Sequence, residues 1–223
     1  MNLDRGGAAA LIVGSIAYIA LMAVHPTHVG APVLGHLSLS ALVHGTALAT
    51  APVLAFGYVA LAARLGFDRA VPVLGLAFAL LGIMFGMMAG TMSGLVIPEI
   101  MQAGHGSHHP GPMPADPEAL RAQLQASANY TVWLNRSFAQ VHYAMFSVAM
   151  ILWCIAWTGR GVAGWVVRGL GALIGIAILS WQISGMSNLE AGHGALVVTL
   201  GQSLWTLIAA ALLLSPREKG GVQ

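Results

Sequence analysis

The sequence predicts an all-α integral membrane protein, a bundle of six transmembrane helices with both chain ends on the cytoplasmic side. Three observations predict it. Of 223 residues, 57% are hydrophobic and only 7% charged, with a mean hydropathy of +0.80, against roughly a quarter charged in soluble domains. Six apolar runs reach the roughly 20 residues that a bilayer crossing needs, at about 8–25, 34–62, 71–97, 131–157, 163–187 and 194–214. Arg5, Arg64, Arg69, Arg160, Arg168, Arg217 and Lys219 fall at the two termini or in the second and fourth connections, leaving only Arg121 and Arg136 on the other side. Cytoplasmic loops carry that excess, so residues 1–223 read as one transmembrane domain, in the inner membrane of a bacterium, with both termini inside.

The elements follow in order. The first run comes after Arg5 and lacks an A-x-A-like cleavage site, so it reads as a retained helix and not as a signal peptide. The second carries His44, in ALVHG, and ends at Arg64. The third contains GIMFGMMAGTMSG, in which Gly82, Gly86, Gly90 and Gly94 recur every four residues beside a stripe of Met84, Met88 and Met92. On a helix this spacing makes one ridge without side chains and one of polarisable thioethers. A bare ridge lets another transmembrane backbone come close.

The long outward loop, about 99–130, begins AGHGSHHPGPMPADP, too rich in Gly and Pro for a helix. Asp116, Pro117 and Glu118 then supply an N-cap, a proline at the first helical position and an acidic first turn. They predict a short surface helix near 117–125, separate from the fourth run. The fourth run holds His142, in AQVHY, and the sixth holds Gln202, in LGQSL. Taken in pairs, the helices read as three diverged copies of one hairpin: GTMSGL and SGMSNL are each followed by Ala-Gly-His-Gly, at 103–106 and 191–194. Such internal repeats are common in membrane proteins.

Several functions are excluded. A net charge of +2 from nine Lys and Arg leaves no basic patch for nucleic acid. One cysteine, Cys154, permits no internal disulfide and no CxxC pair. Neither HExxH nor GxSxG occurs, and the only lysine, Lys219, lies in the tail. Whether the chain is an enzyme stays open.

Nine histidines in so apolar a chain are the feature that points to chemistry. Aligning the even-numbered helices by the repeat places His44, His142 and Gln202 about ten residues from the outward ends, or about 15 Å deep. An ionisable side chain at that depth marks a site. Two histidines at one level on facing helices predict haem b with bis-His ligation, in an electron-transfer protein that serves a quinol or another redox partner. Gly86 and Gly90 would line the slot for the ring, and His36, Asn135 and Arg136 would meet the propionates.

The second reading is copper, for binding or transport. The MxxxMxxxM run resembles, at the level of the motif, the MxxxM and GxxxG elements of the eukaryotic-type copper uptake channels. Those channels are trimers of three-helix subunits, whereas here both motifs share one helix of six. The resemblance implies an outward collecting segment, which His105, His108 and His109 would supply with Glu99 and His193, followed by Met92, Met88 and Met84 leading inward. The third reading is a non-catalytic subunit of a membrane complex, or of a homo-oligomer, with the glycine ridge packed against a neighbour.

Overall fold

A computed structural model describes residues 2–25, 32–34, 37–104, 116–158, 161–184 and 194–215. Its helices are α1 (Leu3–Ala23), α2 (Leu39–Leu65), α3 (Ala70–Thr91), α4 (Ile97–Gly104), α5 (Pro117–Ala156), α6 (Val162–Ile183) and α7 (Gly194–Leu213). Residues Met92–Val96 form a π-helical turn that joins α3 to α4. Six helical spans among the described residues are long and apolar enough to cross a membrane, α3, the π turn and α4 acting as one. The chain is therefore built as an integral membrane protein.

Two boundaries differ from the sequence reading. The second span starts at Leu39 and not at 34, because Pro32–Leu34 (β1) and Leu37–Ser38 (β2) pair as a short antiparallel ribbon before it. Proline and glycine in PVLG resist the helical register. The separate surface helix at 117–125 does not exist: α5 runs unbroken for 40 residues. Asp116 caps it, its Oδ1 accepting from the amides of Glu118 and Ala119 at 3.0 Å. From Glu118 to Ala156 there is neither Gly nor Pro to stop it, and the hydroxyls of Ser127, Thr131 and Ser137 bond back to carbonyls four residues earlier.

The helices close into a ring in the order α1, α2, α3, α5, α6, α7, and the α3–α5 pairing is the most extensive. Polar groups tie the helix ends together where the two chain termini emerge. Arg64 donates to Asp4 Oδ2 at 2.7 Å and to the Ser215 carbonyl at 3.0 Å, joining α1, α2 and the end of α7. Arg69 donates to the carbonyls of Leu65 and Ala156 at 3.1 and 2.9 Å. A guanidinium suits the C-terminal carbonyls of two helices, which carry the negative end of the helix dipole. Gly66, at φ +108°, ends α2 in a conformation that glycine adopts freely.

The half of the ring nearest the termini is the hydrophobic core. Trp153 and Trp205 stack at 5.9 Å with planes 3° apart, and Tyr58 stacks on Trp153 at 5.4 Å. Their polar edges are satisfied: the indole N–H groups donate to the carbonyls of Pro72 and Val167 at 3.3 and 3.2 Å, as buried Trp requires. Gly75 and Gly171 leave the room, since a Cβ on either would sit within 2.7 Å of an indole nitrogen. Every buried residue of α1 lies between Asp4 and Ser15, within this half. Toward the other end the buried side chains turn polar: Ser40, His44, Thr131, Ser147, Thr199 and Gln202.

The Asp4–Arg64 pair generates the first prediction. Asp4→Asn keeps the shape but leaves the guanidinium without its carboxylate, and should destabilise the bundle by about 1–3 kcal/mol, less than for a fully buried pair because Arg64 reaches solvent. Thermal unfolding in detergent, followed by circular dichroism, measures it.

Candidate metal centre

The glycine ridge of α3 faces imidazole. A Cβ on Gly86 would lie 3.0 Å from His142 Nδ1, and one on Gly82 would lie 3.3 Å from the His142 carbonyl. At the far end of the ridge a Cβ on Gly94 would overlap the Cβ of His44. Between them Gly90 touches only Leu48, at 3.7 Å or beyond. The missing side chains are thus where the two membrane-embedded histidines pack.

Each histidine is held in the same way. The Nδ1 of His142 lies 2.7 Å from the Gly82 carbonyl, and the Nδ1 of His44 lies 2.7 Å from the Ser40 carbonyl. A carbonyl only accepts, so each Nδ1 carries the proton and each Nε2 keeps its lone pair. In metal sites this is how a ligating histidine is oriented by its outer partner. The Nε2 of His142 faces the Tyr18 hydroxyl at 3.4 Å; that of His44 faces Nε2 of His25 at 3.2 Å, the two rings meeting edge to face at 4.9 Å.

His44 owes its place to the π turn. In that turn the amide of Ile97 bonds to the Met92 carbonyl, five residues back. Continued by one residue, the same register would pair Ser93 with Pro98, which has no N–H. Ser40 supplies the donor instead: its hydroxyl gives to the Ser93 carbonyl at 3.1 Å while its oxygen stands 3.3 Å from His44 Nδ1. Pro98, Ser93, Ser40 and His44 therefore form one chain of dependence across α2 and α3.

His44 and His142 do not meet. Their contacts on the third span are Gly94, in the π turn, and Gly86, in α3, eight residues or about 12 Å apart, and on the first they are His25, just past the end of α1, and Tyr18, within it. Two imidazoles on opposite faces of one haem iron stand about 4 Å apart, nitrogen to nitrogen, given bonds near 2 Å. The expected common level fails because the two helices start at different heights. His44 is the sixth residue of α2, and His142 the twenty-sixth of α5.

The remaining expected residues separate as well. Gln202 is buried, and its amide N–H groups go to the Tyr143 carbonyl and the Ser147 hydroxyl at 3.1 and 3.2 Å. The Arg136 guanidinium lies over the exposed Trp133 ring at 5.2 Å, beside a half-buried Asn135. Met84 and Met88 lie on the outer surface of the ring, 46% and 37% exposed, so they do not line its interior; Met92 is half-buried and Glu99 exposed. His36, His105, His108, His109 and His193 lie outside the described residues. Among the described residues no three His, Cys, Asp or Glu side chains converge. His25, two residues past the end of α1, is a site residue that the sequence did not single out; its place seven residues after Tyr18, two helical turns on, was the available signal.

Comparison with family models, with curated proteins and with solved structures gives no match.

The contacts predict a contrast among glycines. Gly94→Ala pushes on the Cβ of His44 and should cost about 1–3 kcal/mol, as overpacking does. Gly45→Ala, on the same stretch of α2, meets nothing within 4 Å and should be neutral or stabilising by up to about 1 kcal/mol. Paired thermal melts of the two variants test the assignment.

Proposed function

We propose that this protein is a copper-handling membrane protein that captures the ion at the end of the bundle away from the chain termini, with His25 and His44 as the first ligand pair. The observation that carries the reading is the pair itself. Two Nε2 atoms stand 3.2 Å apart, close to the edge of a tetrahedral or trigonal site with bonds of about 2 Å. His44 is pinned by its other nitrogen, and imidazole suits copper. By the positive-inside rule this end faces outward. His105, His108 and His109, eight to twelve residues before the start of α5 in sequence, are the segment expected to collect the ion. The ion is cargo.

This reading takes from the sequence expectation the outward histidines and leaves the methionine ridge aside, since Met84 and Met88 lie on the outer surface. Haem b ligated jointly by His44 and His142 does not fit the offset of about 12 Å between them. The third reading, a structural subunit, is what remains if no metal binds.

Purified protein in detergent, equilibrated anaerobically with Cu(I) against a chromophoric chelator, tests the proposal. His44→Ala or His25→Ala should weaken copper binding by more than the roughly 10–100-fold that loss of an outer-shell partner costs, and Ser40→Ala by about tenfold. Copper affinity unchanged by both histidine variants overturns the reading. So does a haem absorption band that disappears with either His44 or His142.

A further inference from the structure

His142 is the second membrane-embedded histidine, and the copper reading leaves it unused. Its surroundings are hydroxyls. The Tyr18 hydroxyl faces His142 Nε2 at 3.4 Å and lies within electrostatic reach of the Tyr143 hydroxyl, which in turn lies 3.5 Å from Thr199 Oγ1. Thr199, Tyr143, Tyr18 and His142 thus form a line of exchangeable groups that crosses α7, α5 and α1. With His142 neutral, the Tyr18 O–H donates to Nε2. The Tyr143 and Thr199 hydroxyls can then point the same way.

We propose that His142 is an intramembrane proton-binding site, served by Tyr18, Tyr143 and Thr199 as a hydroxyl relay. Both protonation states of the ring find hydrogen-bond partners. A proton added to Nε2 makes both ring nitrogens donors. Nδ1–H keeps the Gly82 carbonyl at 2.7 Å, and Nε2–H is received by the Tyr18 oxygen. Tyr18 then turns its own O–H to Tyr143, and Tyr143 turns to Thr199, so the line reverses polarity. The proton taken up is the only atom gained, and no electron moves. A histidine whose role was purely structural would need only one of these two arrangements.

The groups that face His142 are few. From α1 comes Tyr18, with Tyr58 of α2 in electrostatic reach of it. The next residue of α5 is Tyr143, its ring 5.0 Å away. Helix α3 presents Gly82 and Gly86, and α7 contributes Thr199, none of which titrates. The one buried carboxylate among the described residues, Asp4, is at the other end of the bundle and paired with Arg64. Among the described residues no cation contacts the ring, and the Gly82 carbonyl and Tyr18 oxygen are the dipoles that receive the added charge.

This inference stands apart from copper, and its test uses no metal. Full-length protein in lipid nanodiscs, labelled with 15N-histidine, is titrated by NMR, the His142 resonances being assigned by their loss in His142→Gln. The expected result is an Nδ1–H tautomer that converts to imidazolium as the pH falls across the range in which circular dichroism shows the fold intact. Tyr18→Phe should weaken proton binding about tenfold, because a hydrogen bond to the charged ring is worth more than one to the neutral ring. Tyr143→Phe should have a smaller effect in the same direction. His142 remaining neutral across that range overturns the proposal, as does a titration that Tyr18→Phe leaves unmoved while the fold, checked by circular dichroism, is intact.

Discussion

Helix α3 has no Cβ where α5 crosses it, and the closeness that follows governs the rest of the bundle. Because Gly82 and Gly86 let α5 approach, the imidazole of His142 reaches a carbonyl of α3 that a bulkier residue would cover. In lipid no water would satisfy that ring, so the protein must supply its partners. The same ridge, two turns further on, receives His44 at Gly94. One stripe of missing side chains thereby seats two histidines at two heights, each with Nδ1 occupied and Nε2 turned toward a second polar group.

The two ends of the ring divide the work. Near the chain termini the centre is filled by stacked aromatics and sealed by the guanidinium bonds of Arg64 and Arg69. Toward the other end the buried groups are hydroxyls, amides and imidazoles, each with a hydrogen-bond partner. A close-packed apolar half below a polar half holds functional groups in place, since the core fixes the helices that carry them. The π turn completes the arrangement. Pro98 removes a backbone donor, Ser40 replaces it, and Ser40 is the residue on which His44 rests.

Much of this was legible in the sequence. Six apolar runs and the scarcity of charge show six membrane-competent helices directly, and the glycine spacing marks α3 as the helix that others approach. His44 and His142 stand out because ionisable groups in apolar runs are rare. Their relative depth was not legible, because it depends on where α2 and α5 begin. The first of these starts is set by a strand pair, and the second by the absence of any helix breaker after Pro117. The orientation of the methionines also escaped: a spacing of four residues gives a stripe but not the direction it faces. The Asp4–Arg64 pair joins residues sixty apart and has no local signature.

The central functional claim is that imidazole, and not thioether, holds the ion. X-ray absorption at the copper edge of the purified protein, loaded with one equivalent of Cu(I), measures this most directly. The account predicts nitrogen scatterers at about 2.0 Å with the outer-shell pattern of imidazole rings. Sulfur scatterers at about 2.3 Å, or no bound copper, would contradict it.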